Sequence, residues 1–336
     1  MDNTVQISTI ADMFGPGGLK KAWPLLRPQV GLKHNNMILR HNALLRKDEW
    51  LEIDRVVLET AKVELNGVQD LIGRGLTKRL GGLGSKVSAY ERISEMTAAN
   101  VSMSVDVPGD RDRLEYEQVN VPIPVIFKDF SFDLRDLESA RQSGDPLETD
   151  HIAAATRVVT ETMETMVFSG HAKQLGGYTI QGYTNATYRL TDTASNYGGG
   201  DFGTAGNGYK TVVGAINALR AIGFKGPYMI YVASTQYGQL HNLIDPTNAR
   251  AEIQVIKDNI PEVLDVKVSY ELSDGAMVIV QMTPNVVDLA IGMILTPVQW
   301  TEMGGMITDF RVMTALAPRV KQDANNHTGV CHVTSC

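Results

Sequence analysis

Residues 101–116 read VSMSVDVPGDRDRLEY, and the fold turns on them. Val101, Met103, Val105 and Val107 alternate with Ser102, Ser104 and Asp106, the period of a strand with one apolar and one polar face. Pro108-Gly109-Asp110-Arg111 supplies a turn, and Leu114 and Tyr116 resume the alternation. The stretch predicts a β-hairpin. Its outward positions are polar and no helix precedes the return strand, so it is expected to project as a ribbon. Two strands alone are marginal in water, so the ribbon needs a surface to lie on, and the nearest one belongs to another copy.

Downstream, Val119, Val121, Ile123, Val125 and Phe127 share one parity, and Phe130, Phe132 and Leu134 the other. The flip near Lys128 and Asp129 predicts a bulge that carries one strand from the ribbon into a second sheet. Pro122 and Pro124 place this part on an edge. A long helix follows, with Asp145 as N-cap, Pro146 first and Glu148 three after the cap. Ile152, Thr156, Val159, Met163 and Met166 form its buried stripe, Arg157, Glu161 and Glu164 face away, and Gly170 closes it. At 1.5 Å per residue this spine is about 33 Å long. Residues 171–208 read as loops with short strands. Beyond them the pattern is mixed: a helix through Tyr209, Val212, Ile216 and Leu219, a buried strand Tyr228 to Ala233, a helix capped by Ser234, and another near Ala249 to Lys257. Val263 to Tyr270 and Ala276 to Met282 flank Ser273-Asp274-Gly275 as a hairpin, and strands near Val286 to Gly292, Met293 to Trp300 and Met306 to Ala315 finish the fold.

Upstream, Trp50, Ile53, Val57, Ala61, Leu65 and Val68 recur at helical spacing. Gly73 to Ser85 holds five glycines and reads as a hinge. Residues 1–45 show no sustained period yet carry Phe14, Trp23, Leu25 and Leu26, apolar for a solvated tail, so this arm is expected to lie against a surface, with a neighbouring subunit as one candidate and a frayed tail as the alternative.

The 336 residues are 43% hydrophobic and carry a net charge of −7, enough apolar content for real cores and the wrong sign for a tight nucleic-acid binder. No apolar run is long enough to span a bilayer, and no signal peptide is visible, so a soluble protein made in a cytoplasm is expected. Gly198 to Gly203 meets the spacing of a dinucleotide-binding motif, but no apolar strand precedes it. Gly81-Gly82-Leu83-Gly84-Ser85-Lys86 lacks the ending of a phosphate loop. His327, Cys331, His332 and Cys336 are metal-compatible, yet they form one short terminal segment where zinc sites pair two knuckles, so free thiols are expected. No catalytic constellation, cofactor site or metal site is read, and an enzyme is not expected.

The order of parts resembles the Hong Kong 97-like fold of tailed-phage major capsid proteins and encapsulin shells. The residues that carry it are Asn42-Ala43-Leu44-Leu45-Arg46-Lys47-Asp48-Glu49-Trp50, Val121 to Phe127 through Phe130 to Leu134, the spine from Asp145 to Gly170, and Ile180-Gln181-Gly182-Tyr183-Thr184-Asn185. The resemblance implies an α+β chain with an N-terminal arm (1–45), a helix and glycine-rich hinge (46–84), and an extended hairpin loop (85–128). A peripheral domain with the spine helix (129–172 and 291–336) and an α/β axial domain (173–290) complete it. It further implies a major capsid protein that forms pentamers and hexamers of an icosahedral phage head, assembled in the bacterial cytoplasm around double-stranded DNA. A portal and possible decoration or scaffolding proteins would be its partners, and no membrane. An encapsulin-like compartment enclosing cargo enzymes is the alternative. The arm before Asn42 and the 171–208 region are longer than encapsulins generally carry, which tilts the reading toward phage.

Overall fold

The computed structural model describes residues 53, 55–57, 60, 65–94, 96–99, 101, 103, 111–133, 135, 150–175, 177–245, 250–303 and 306–336. In chain order its elements are α1 (Gly67–Gly73), β1 (Thr77–Arg79), β2 (Val87–Ile93), β3 (Tyr116–Pro122), β4 (Val125–Asp133), α2 (Asp150–Ser169), β5 (His171–Leu175), β6 (Tyr178–Ile180), β7 (Leu190–Thr193), α3 (Asn207–Ala221), β8 (Tyr228–Ala233), α4 (Ser234–Gln239), β9 (Leu243–Asp245), β10 (Arg250–Ala251), α5 (Glu252–Asn259), β11 (Val263–Ser269), β12 (Met277–Gln281), β13 (Val287–Glu302), β14 (Ile307–Val320) and β15 (Val330–Thr334). They fall into two units. The first is Met1–Ser85, Ile123–Thr165 and Leu289–Ala317; the second is Lys86–Pro122, Met166–Asp288 and Pro318–Cys336.

The first unit is built on a sheet of order β1-β13-β14-β4. Along β4 and β14 the even-numbered residues turn inward, with Phe130 opposite Phe310 and Phe132 opposite Thr308. Phe130 and Phe310 stack with centroids 5.2 Å apart, Phe132 meets Phe310 edge-on at 5.6 Å, and Ile53, Val57 and Ile152 close this core. Phe127 and Val125 are on the outer face, so the parity does not flip at Lys128 and Asp129 as expected. The break lies earlier, at Ile123 and Pro124, between β3, which pairs with β2, and β4, which pairs with β14. The strand does change sheets, but Pro124 without its N–H ends the first ladder, and no bulge is needed. The glycine-rich segment also differs from expectation, since Thr77–Arg79 inside it pairs parallel with β13.

Helix α2 begins at Asp150 among the described residues; the expected cap at Asp145, Pro146 and Glu148 lies outside them. Its apolar stripe is as read, with Ile152, Val159, Met163 and Met166 buried. Glu164, expected to face outward, is buried instead. Its carboxylate accepts from the backbone N–H groups of Asn66 (3.1 Å), Gly67 (2.6 Å) and Val68 (3.2 Å), donors at the start of α1 that no helix bond can satisfy. The outward assignment followed the spacing alone, which cannot see a helix end approaching from about a hundred residues away in sequence.

In the second unit a five-stranded sheet has order β11-β8-β12-β15-β7. Strand β8 reads Tyr-Met-Ile-Tyr-Val-Ala and is buried along its whole length, as its unbroken apolar run requires for a central strand. It pairs parallel with β11 and antiparallel with β12, so β11 and β12 are not the hairpin expected around Ser273-Asp274-Gly275; β8 lies between them. Strand β15, unforeseen in the sequence, enters between β12 and β7. It belongs to the second unit with Pro318–Cys336. Helices α3 and α5 cover one face through Val212, Ile216, Leu219, Ile253 and Ile256. Buried Glu252 accepts from the N–H groups of Tyr209 (2.5 Å) and Gly206 (3.3 Å) at the start of α3, repeating the device of Glu164.

At the end of α2, Gly170 has φ +68°, and a Cβ there would lie 2.4 Å from the Ile180 carbonyl oxygen. A Cβ on Gly182 would lie 2.4 Å from the Gly170 nitrogen, so the two glycines are a backbone crossing that admits no side chain.

Glu164→Ala leaves the start of α1 without its acceptor and is expected to lower stability by about 2 kcal/mol, with faster amide exchange at residues 66–68 on comparison with the unaltered chain. On β15, His332 is half-buried and its Nδ1 has no hydrogen-bond partner among the described residues. Burial, and then the nearby Arg189 charge, push its pKa below 6.5. The unfolded chain therefore binds this proton at a higher pH than the folded one, and stability falls as pH drops through 6.5 toward the lower folded value. Thermal melts of His332→Phe should show less of this acid-side loss than the unaltered chain.

Candidate assembly interface

The ribbon is β2 and β3, paired antiparallel from Val87 opposite Pro122 to Ile93 opposite Tyr116. Among the described residues the partner of the return strand is 87–93; of the expected outgoing strand 101–107 only Val101 and Met103 are described. Val101 and Met103 are in no strand and are fully exposed. Val105, Val107, Pro108, Gly109 and Asp110 lie outside the described residues, as do Phe14, Trp23, Leu25 and Leu26 of the arm. Arg111 is exposed, Leu114 half-buried, and Tyr116 opens the return strand where the alternation placed it. Strand β2 carries a weak sequence signal because Glu91 interrupts the apolar alternation Val87, Ala89, Ile93 of its face.

The pleat sorts the ribbon into two faces. One carries Ser88, Tyr90 and Arg92 opposite Val121, Val119 and Glu117, and it is held to the second unit. Arg319 is the anchor. Its Nε donates to Asp288 Oδ1 at 2.5 Å, its Nη2 donates to Asp288 Oδ2, and its Nη1 donates to Ser88 Oγ (3.0 Å) and the Ala89 carbonyl (3.2 Å). Arg319, Asp288 and Ser88 are all buried. Lys321 Nζ lies 2.7 Å from Asp288 Oδ2, so two cations surround the one carboxylate. Arg92 donates to Asn326 Oδ1 (2.7 Å) and pairs with Glu117 (2.5 Å). Burial pushes the Tyr90 hydroxyl up to about 12, which keeps it neutral, and it donates at 3.5 Å to the Val320 carbonyl. The sequence does hold a signal for the anchor: Asp288 and Arg319 are single charges inside the apolar runs Val286-Val287-Asp288-Leu289-Ala290 and Ala317-Pro318-Arg319-Val320. Opposite charges in such runs are buried only as a pair.

The other face carries Val87, Ala89, Glu91 and Ile93 opposite Pro122, Asn120, Gln118 and Tyr116. Ile93 is 48% and Tyr116 62% exposed although they sit directly opposite one another, and Met96 beyond them is 59% exposed. This apolar end of a ribbon is turned to solvent while its root is fixed, a geometry suited to covering another molecule. Among the described residues no three His, Cys, Asp or Glu side chains are grouped to hold a metal ion. Cys331 and Cys336 are free, buried thiols that burial pushes up to about 11 and about 12, a state opposite to an activated nucleophile.

The first unit presents a second apolar surface. On the outer face of its sheet Arg311 donates to both Asp129 oxygens at 2.6 Å and lies over the rings of Phe127 (4.2 Å) and Trp300 (5.3 Å). The hydrogen bonds from Arg311 hold the Asp129 carboxyl below the usual carboxylate range. At the β13–β14 connection Met303 and Met306 are exposed.

A family model described as "Family of unknown function (DUF6260)" matches residues 40–333. The type 1 encapsulin shell protein EncA of Myxococcus xanthus is 28% identical over 282 residues, 82% of this chain and 90% of that protein. Among solved structures, the virus-like particle from Pyrococcus furiosus covers 84% of this chain and 98% of its own, with TM-score 0.59 and 13% identity. The capsid of Myoviridae phage XM1 covers 81% and 93%, with TM-score 0.61 and 14% identity.

Arg319→Met strands the Asp288 carboxylate with Lys321 alone and is expected to cost about 3 kcal/mol. The double variant Arg319→Met/Asp288→Leu should recover most of that in chemical denaturation, while amide exchange at Ser88 and Ala89 stays faster in both.

Proposed function

The chain belongs to the DUF6260 family and has the Hong Kong 97-like fold of the capsids and shells it matches, and from these we propose that it builds a closed shell by self-assembly. The observation that carries this is the ribbon: a root locked by a buried ion pair, and an end whose Ile93, Tyr116 and Met96 are exposed. The partner that covers this end is another copy. Each copy gives and receives such contacts, and a closed array of many weak contacts is stable through multivalency. The relatives named above are shell proteins, in keeping with a structural role.

The finer reading is a major capsid protein of a tailed phage, with copies in pentamers and hexamers of an icosahedral head. The head would enclose double-stranded DNA, with a portal and possible decoration or scaffolding proteins as partners, in a virion assembled in the host cytoplasm. Its support is the length of the chain outside encapsulin likeness: the match to the Myxococcus protein leaves 18% of this chain uncovered. The net charge of −7 suits a wall that confines DNA without gripping it. An encapsulin-like compartment around cargo enzymes is the second reading, favoured by the sequence match to that same shell protein. In either case the arm residues Phe14, Trp23, Leu25 and Leu26 and the loop residues 101–111 would lie on neighbouring copies.

Negative-stain microscopy of the purified full chain should show closed particles of uniform diameter, and deleting Ser102 to Glu115 should leave folded protein that forms none. Intact particles from the deletion would remove the ribbon from the mechanism. Nucleic acid in particles made alongside a portal supports the head; a copurifying enzyme supports the compartment.

A further inference from the structure

One face of the five-stranded sheet carries a row of residues in register: Lys267 on β11, Tyr231 on β8, Val278 on β12, His332 on β15 and Thr191 on β7. Strand β7 is the edge of this sheet, four residues long and paired there with β15 alone among the described residues. Arg189, two residues before Thr191, falls on the same side of the chain as Thr191. It is half-buried and held in place, its Nη1 donating to the Ala186 carbonyl at 2.8 Å. Arg189 Nε and His332 Nδ1 are both buried atoms with no hydrogen-bond partner among the described residues. No carboxylate acts on either side chain.

We propose that this joint is an acid-sensitive latch: a proton taken up by His332 sets a second cation beside Arg189 across the β15–β7 pairing and loosens the edge strand from the sheet. The neutral ring merely forgoes one hydrogen bond at Nδ1. The imidazolium must instead bury an N–H that has no acceptor, next to a charge of its own sign. Relief by movement of Arg189 is opposed by its bond to Ala186. The remaining groups of this face do not compensate. Val278 and Thr191, the direct neighbours, carry no charge, and the ionisable groups beyond Val278 are the phenols of Tyr231 and of Tyr183 stacked on it. Lys267 stands three strands away, about 14 Å at the spacing of a sheet, and is itself a cation. Asp192 alternates to the opposite side of β7, where its Oδ1 accepts from the Thr193 N–H (2.8 Å) and from Asn196 Nδ2 (2.5 Å). Strand β15 is backed by β12 on its other side, so β7 is the partner that gives way, and its release bares the edge of β15 to solvent.

The test is amide hydrogen exchange on the full chain from about pH 7.5 to about pH 5, each rate divided by the intrinsic rate at that pH. Below 6.5, protection at residues 190–193 should fall by up to about tenfold per pH unit, the slope of one linked proton. Residues 228–233 of the central strand β8 should keep theirs. His332→Gln should hold protection at 190–193 level over the same range. In Arg189→Met the midpoint of the His332 ring, followed by NMR titration, should move up toward 6.5, a shift that a packing role for Arg189 would not produce. Protection at 190–193 that ignores pH in the unaltered chain, an equal fall in β8, or an unmoved midpoint in Arg189→Met would each overturn the latch. The first two are read on the unaltered chain and decide the matter whether or not either variant folds.

Discussion

A guanidinium with five donors is buried at the root of the ribbon, and the standing of the ribbon depends on how those donors are used. Two go to Asp288 and others reach Ser88 Oγ and the Ala89 carbonyl, so one side chain ties β14 to β13 and to the outgoing strand β2. An isolated two-stranded ribbon is marginal in water. Here its first turns are part of the second unit, and only the far end is left to find a surface. Lys321 beside the same carboxylate makes this a paired cluster, which is what allows charges to be buried at all. Arginine suits the position because a lysine could reach the carboxylate but could not also hold two further acceptors in a plane.

The same logic of remote capping recurs in both units. Glu164 on the spine helix closes the start of α1, and Glu252 at the start of α5 closes the start of α3. Each carboxylate meets N–H groups that lack helical partners, so each helix is positioned by a charge from a distant part of the chain. The crossing of Gly170 and Gly182 adds a backbone contact that any side chain would push apart. Beside this crossing Phe168 meets Tyr183 and Tyr231 edge to face, and the two tyrosines stack.

What could be read from the sequence divides by the range of the interaction. Strand β8, helix α3, the apolar stripe of α2 and the return strand from Tyr116 follow from local periodicity, and each is where the pattern puts it. The neighbours of β8 are not legible locally: Ser273-Asp274-Gly275 is a sound turn, yet turn chemistry cannot show that a third strand separates the two it joins. Glu164 was placed outside for a similar reason. Strand β15 was hidden by its own side chains, since His327, Cys331, His332 and Cys336 drew attention as possible ligands while Val330, Cys331 and Val333 were simply core. In the ribbon the strand paired with the return strand is the less regular 87–93, while the cleaner alternation at 101–107 lies mostly outside the described residues. Asp288 and Arg319 were legible in principle as lone charges in apolar runs.

The position of β15 bears on timing. It fills the gap between β12 and β7, and Thr334 reaches back to the Asp192 carbonyl, 142 residues earlier. During synthesis the five-stranded sheet stays open along its middle until this strand has emerged, and loop closure over such a span is slow relative to local folding. Until β15 docks, β12 and β7 each lack a neighbour, and the unit from which the ribbon extends is unfinished.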